Sequence, residues 1–246
     1  MKIEEVEGIV LSETNYSESS KILNVFTKEY GLIGIMSKGC RSMKSKLRGV
    51  SRKLLYGTFH IYHKEKGLST LIGVDVINSY SKIVMDLEKI SYASFILELT
   101  NQVVKENDDE EIFNIITSTL QKIEEGFNPL ILTNILELKL LDYLGVSPSL
   151  DACSICGSTK DIITVSSLHG GYICRNCHQN DTLVSDKTVK MIRLFYYVDI
   201  SNITKLEVND KIIKEINEFL DDYYDRYTGI YLKSKKFIKE LNKLTN

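Results

Sequence analysis

Cys153, Cys156, Cys174 and Cys177 form two C-x-x-C pairs with seventeen residues between them. Two thiolates spaced by two residues can grip one metal ion from a tight turn, and two such turns complete a tetrahedron. The spacing falls in the range of zinc sites. Gly157 after the first pair, and Gly170 and Gly171 before the second, supply permissive backbone for those turns. Four thiolates close the coordination sphere and leave no position for water or substrate, so a structural Zn²⁺ is expected, one per chain. Such a set carries a formal charge of about −2. Any attraction for phosphate at that place must therefore come from neighbours such as Lys160, Arg175 and His178. The other use of four cysteines is two disulfides, which a reducing compartment disfavours. Cys40, the fifth cysteine, is expected to be a small buried or half-buried thiol.

A second constellation is cationic. Between Ser37 and Lys53 the chain carries seven basic residues (Lys38, Arg41, Lys44, Lys46, Arg48, Arg52 and Lys53) and no acidic one. The whole chain has a net charge of −2; without those seven, 24 basic residues face 33 acidic ones, a balance of −9. A cationic segment on an otherwise acidic protein predicts a local binding surface. Its interleaved Ser and Gly residues can donate hydrogen bonds to phosphate or let backbone approach it. The alternative is a solvated loop without a partner. Tyr16, Tyr30, Tyr56, Phe59 and Tyr62 lie near enough in sequence to stack on bases, and each can equally belong to the core.

Motifs for catalysis are absent. The sequence contains no P-loop, no G-x-G-x-x-G, no G-x-S-x-G and no H-E-x-x-H. His60, His63, His169 and His178 do not cluster at ligand spacing, and alternation along a strand would send His60 and His63 to opposite faces. The acidic run Asp108, Asp109, Glu110 and Glu111 reads as an exposed helix start. No enzyme activity is expected.

The elements that must position these groups follow from periodicity. Apolar alternation and turn residues predict five strands: Ile3 to Leu11, Ile22 to Thr27, Leu32 to Met36, Gly57 to His63 and Leu68 to Ile77. A long loop separates the third from the fourth. Five short strands in such a span predict a small barrel, an OB-fold first and an SH3-like barrel second. In such a barrel the basic loop can border a groove that follows a nucleic-acid backbone.

From Asp86 the period becomes helical, with a stripe from Leu87 to Val104, a break at Asn107-Asp108-Asp109, and a second stripe from Ile112 to Ile123. Asn128-Pro129 starts a third helix that ends at Gly145. After the cysteines, Ser185 caps another, one more begins at Asp210, and a basic one spans Leu232 to Leu244. The expected class is therefore α+β: a barrel domain over 1–80, and a helical domain over 81–246 with a zinc-binding insertion at 151–180. No apolar stretch approaches the ~20 residues that span a bilayer, and no secretory signal is present, so a cytoplasmic protein is expected.

SESSKILNVFTKEYGLI (Ser17 to Ile33), KGCRSMKSKL (Lys38 to Leu47), DYLG (Asp142 to Gly145), GGYICRNC (Gly170 to Cys177) and GIYLKSKKFI (Gly229 to Ile238) follow one another along the chain. In this order they resemble the RecO family of bacterial recombination mediators. The resemblance covers nearly the whole chain. It implies an N-terminal OB-fold, a helical domain and an embedded zinc knuckle held by Cys153, Cys156, Cys174 and Cys177. It also implies binding of single- and double-stranded DNA and annealing of complementary strands in DNA repair. With RecR, such proteins help load RecA onto DNA coated by single-strand-binding protein, whose C-terminal tail they contact. DNA contacts at Lys38, Arg41, Lys44, Lys46 and Arg48 are carried over by similarity; Arg52 and Lys53 extend the set on charge alone. Lys233 to Lys239 is a cationic candidate for the tail. Association with the nucleoid is expected. Two other classes remain: a zinc-stabilised adaptor whose basic loop binds an acidic protein without DNA contact, and a thiol oxidoreductase.

Overall fold

The computed structural model describes residues 3–105 and 109–245. Two of the residues expected to break the first helix, Asn107 and Asp108, lie outside that description, as does the side chain of Lys239. The chain forms two compact units, one reaching to Glu124 and including the C-terminal stretch from Leu232, the other spanning Glu125–Tyr231.

The first unit is built on five strands: β1 (Ile3–Tyr16), β2 (Ser20–Thr27), β3 (Gly31–Ser37), β4 (Tyr56–Tyr62) and β5 (Ser69–Asn78). They close in the order β1-β2-β3-β5-β4. Every pairing is antiparallel except the seam, where Ile35 and Met36 meet Ser69 and Thr70 in parallel. This is the OB-fold rather than the SH3-like alternative. Val6, Val10, Leu23, Val25, Ile35, Phe59, Ile61 and Leu71 point inward and form the core, as a period of two requires.

β1 breaks that alternation, because Ile9, Val10 and Leu11 are all buried. The cause is a bulge at Leu11, where the register with β2 shifts between Val10 and Ser12. Past the bulge β1 continues to Tyr16, five residues beyond the expected end at Leu11. That polar stretch carries no strand pattern of its own and is held by pairing with β2, from Ser12↔Asn24 to Tyr16↔Ser20.

The same unit holds the short helix α1 (Ser81–Val84), α2 (Leu87–Val103), α3 (Glu110–Glu125) and, from the far end of the sequence, α7 (Lys233–Thr245). The Asp86 carboxylate accepts the Lys89 N–H at 3.0 Å and starts α2. Glu98 on α2 performs the same service for a different helix. It accepts the backbone N–H groups of Lys233 at 3.2 Å and Ser234 at 2.9 Å, together with the Ser234 hydroxyl, and so caps α7. The compact units thus do not follow the change of period near residue 80.

The second unit contains α4 (Pro129–Tyr143), the two-stranded sheet of β6 (Ile162–Ser166) and β7 (Gly171–Cys174), α5 (Asp186–Tyr197) and α6 (Asp210–Tyr227). Asn128 caps α4 by accepting from Leu130 and Ile131, with Pro129 at the first helical position. Ser185 caps α5 through the Thr188 N–H. Tyrosine hydroxyls hold the helices together: Tyr223 donates to the Val146 carbonyl at 3.0 Å and Tyr224 to that of Glu137 at 2.9 Å. Among the described residues no helix is long and apolar enough to cross a membrane.

Candidate metal centre and nucleic-acid interface

The first cysteine pair sits in a turn closed by two hydrogen bonds. Gly157 N–H donates to the Cys153 carbonyl at 2.8 Å, and Cys153 N–H donates to the Ser158 carbonyl at 2.8 Å. Gly157 is left-handed, with φ of 75°, a conformation that costs glycine little. The second pair turns at the end of β7, where Cys177 and His178 both donate to the Cys174 carbonyl, at 3.1 and 3.0 Å. Ser154 N–H joins the two turns by donating to the Tyr172 carbonyl at 2.8 Å. The β6–β7 hairpin lying between the pairs has no clear signal in the sequence, since its strands are short and carry little apolar alternation.

These turns bring the four Sγ atoms within 4.8 Å of one another. Cys156 and Cys174 stand 3.7 Å apart. A disulfide needs about 2.05 Å, and all four are free thiols. A metal bound tetrahedrally at about 2.3 Å from each sulfur spaces the sulfurs by roughly 3.8 Å, so the cage already has the dimensions of a tetrathiolate metal site. Without a metal the thiols compete for protons. Burial raises the Cys153 thiol, but the backbone N–H groups of Cys174, Cys156 and Ile155 outweigh it and bring it down to about 6. Cys177, hydrogen-bonded first of all to Cys156, is pushed up to about 12. A divalent cation resolves that conflict by stabilising all four as thiolates. His178 stands outside the cluster of ligand atoms, which holds the four cysteines alone among the described residues, and its Nε2 lies 3.0 Å from the Asp181 carbonyl oxygen.

The cluster is anchored without metal as well. Asp151, two residues before Cys153, accepts the Arg193 guanidinium at 2.7 Å and the Tyr197 hydroxyl at 2.6 Å. The Tyr172 hydroxyl on β7 donates to the Val189 carbonyl on α5. Lys160 and Arg175 are exposed beside the turns.

The basic loop between β3 and β4 is ordered by its apolar and hydroxyl residues. Leu47 and Val50 pack on the barrel core, and the Ser37 and Ser51 hydroxyls lie 2.7 Å apart across the loop's base. Cys40 is buried, as expected. With these residues turned inward, Lys38, Arg41, Lys44, Lys46 and Arg48 are left exposed.

Arg52 and Lys53 are placed differently. Both are half-buried. The Arg52 guanidinium donates to the Ser79 carbonyl at 2.9 Å, and Lys53 N–H donates to Glu13 at 3.0 Å. Burial lowers the pKa of the Lys53 ammonium, and the Glu98 and Glu13 carboxylates only partly oppose it. Charge counted along the sequence gives no sign of this, because only the folded first unit, barrel and α2 together, brings Ser79, Glu13 and Glu98 to these two residues.

The aromatics also separate. Phe59 is in the core and Tyr56 is half-buried with its hydroxyl on Glu7. Tyr62 is half-buried, while Tyr16 and Tyr30 are exposed. On α7, Lys233 and Lys236 are exposed, and the Lys235 ammonium sits 5.9 Å from the Phe95 ring centre.

Known proteins match nearly the whole chain. A family model described as "Recombination protein O N terminal" matches residues 1–80, and one described as "Recombination protein O C terminal" matches residues 84–236. A Listeria monocytogenes serotype 4a protein named "DNA repair protein RecO" is 35% identical over 248 residues, covering 99% of this chain and 97% of its own. Proteins of the same name from Bacillus pumilus (36% over 242 residues; 97% of this chain, 94% of the relative) and Bacillus cytotoxicus (35% over 244 residues; 98% and 98%) are similar.

Proposed function

The chain belongs to the RecO family of DNA repair proteins, and from that premise we propose that it is a recombination mediator that binds single- and double-stranded DNA and anneals complementary strands. Residues 1–80 act as the nucleic-acid-binding domain, and 81–246 as the helical domain with its zinc-binding insertion at 151–180. The observation that carries this reading is the loop between β3 and β4, which holds Lys38, Arg41, Lys44, Lys46 and Arg48 exposed on an ordered base.

The physics is electrostatic. Two DNA strands repel, and a cationic surface that holds each of them lowers that repulsion so that complementary bases can meet. Phosphate contacts of this kind give affinity without sequence preference and release counterions. No bond is made or broken in annealing, so the activity requires neither a catalytic residue nor a nucleotide. Arg52 and Lys53 support the loop from within the first unit, and the phosphate contacts fall to the five exposed residues.

Cys153, Cys156, Cys174 and Cys177 would hold one structural Zn²⁺. When bound, the ion fixes the two turns and the hairpin between them; it takes no part in chemistry. By family resemblance the partners are RecR, the C-terminal tail of single-strand-binding protein and, functionally, RecA, at the nucleoid in the cytoplasm.

The test is binding of a labelled single-stranded oligonucleotide across a salt series. If about four phosphates are neutralised, log affinity falls against log salt with a slope of roughly −3. Absence of binding at low salt overturns the reading and leaves a zinc-stabilised adaptor.

A further inference from the structure

Among the described residues, one exposed aromatic of the barrel enters a turn that the basic loop contacts. Tyr16 ends β1 and is 51% exposed. It pairs with Ser20 across the turn formed by Ser17, Glu18 and Ser19. The first residues of the basic loop clasp that turn. Arg41 N–H donates to the Ser19 carbonyl at 2.8 Å, the Arg41 guanidinium reaches the Ser17 carbonyl at 3.4 Å, and Gly39 N–H donates to the Ser20 hydroxyl at 3.2 Å. Hairpin tip and basic loop are therefore one continuous surface.

Tyr30, 46% exposed, has its two functions taken. Its ring stacks on His63 with centres 4.3 Å apart at 12°, and its hydroxyl donates to Glu4 at 3.0 Å. The carboxylates of Glu4 and Glu29 raise its pKa and would repel phosphate. Tyr16, in contrast, has neither a stacking partner nor a bonded hydroxyl among the described residues. Glu18 is the one acid in its turn, so an approaching phosphate is directed to the Arg41 side.

We infer that Tyr16 and Arg41 form a subsite for one unpaired nucleobase and its phosphate, with the Tyr16 ring stacked on the base and the Arg41 guanidinium beside the phosphate. The inference rests on the nucleic-acid reading above and adds a discrimination to it. A base offers its face to a side chain only when it is unpaired, whereas phosphates are offered by single strand and duplex alike. The five exposed cations attract both forms. Tyr16 favours the single strand, and because every base has a π-face it does so without regard to sequence. A base held in this way keeps its pairing edge free, as annealing requires.

The chain contains no tryptophan, so Tyr16→Trp introduces a single reporter at the subsite. Its fluorescence is expected to be quenched by a thymidine oligonucleotide and not by a duplex of equal phosphate concentration. Tyr16→Ala and Tyr16→Leu are expected to bind the single strand about tenfold more weakly at every salt concentration, and Tyr16→Phe to match the parent. The salt slope of these variants stays that of the parent, because stacking releases no counterions. Duplex affinity and the melting temperature stay unchanged. If the parent binds single strand and the Ala and Leu variants match it, or lose single strand and duplex equally, the subsite is overturned while the nucleic-acid reading stands. If the parent binds neither form, that reading falls and the subsite with it.

Discussion

Gly171 lies so close to Ser149 that a β-carbon on it would stand 2.3 Å from the Ser149 carbonyl oxygen and 2.7 Å from the Ser149 nitrogen. The approach is needed because Ser149 pairs with the start of β7: it donates to the Gly170 carbonyl at 2.9 Å and accepts the Tyr172 N–H at 2.8 Å. The contact fixes β7, and β7 ends on Cys174. Gly171→Ala should therefore push the chain before the first cysteine pair away from the second. The expected cost is about 1–3 kcal/mol of stability, with weaker metal retention. Thermal unfolding together with a chelator competition measures both.

Cys174→Ser removes one of the four sulfurs of the cage. Metal content should fall to near zero from the proposed one zinc ion per chain, and the melting temperature should drop by several degrees, because the segment between the two turns loses its central tie. The chain should stay folded, since Asp151 and Tyr172 still hold the segment to α5. Metal analysis and calorimetry check the pair of outcomes. A metal-free variant as stable as the parent would refute a structural role.

Replacing Lys44, Lys46 and Arg48 with Glu together reverses charge on three exposed residues. Strand annealing should be abolished while zinc content and melting temperature stay within error of the parent. Reversal at Arg52 and Lys53 should do the opposite and lower stability first, since Arg52 donates to Ser79 and Lys53 is half-buried. Annealing assays and thermal melts on the two variants separate exposed charge from half-buried charge.

Glu98 makes the capping of α7 sensitive to acid. Burial raises its carboxyl, but hydrogen bonds from Ser234 and Lys233 and the Lys53 charge outweigh it, so its pKa lies below the ordinary glutamate value. A depressed carboxyl contributes stability above its unfolded pKa, near 4.3, and loses it as pH falls through the folded value. Glu98→Gln, which imitates the protonated form, should be less stable than the parent by about 1 kcal/mol at pH 7. The difference should begin to shrink as pH falls below the unfolded value of about 4.3 and vanish only below the lower folded value. Denaturant unfolding at a series of pH values tests this, and a difference constant with pH would remove Glu98 from the account.

Much of the architecture was legible along the chain because its signals are local. Asp86, Asn128 and Ser185 cap the helices they precede, and a cap bonds to amides only two or three residues away. The five strands and their turns could be placed from alternation, and the cysteine spacing alone announced a tetrathiolate site. The expected strand at Ile3–Leu11 stopped short because the polar extension to Tyr16 owes its form to β2 and not to its own residues.

What only the tertiary structure decided are the facts that depend on residues far apart in sequence. Glu98 joins α7 to the first unit across more than a hundred residues, and no local pattern encodes that meeting. Of seven basic residues that look alike in sequence, Arg52 and Lys53 are half-buried while five are exposed. Tyr16 and Tyr30 are both exposed, yet one enters the turn that Arg41 clasps and the other is bonded to Glu4. The sequence determines which chemistry the side chains can offer, through composition, spacing and period. Exposure and neighbourhood are set by how the barrel closes, because burial is a property of the packed chain and not of the residue.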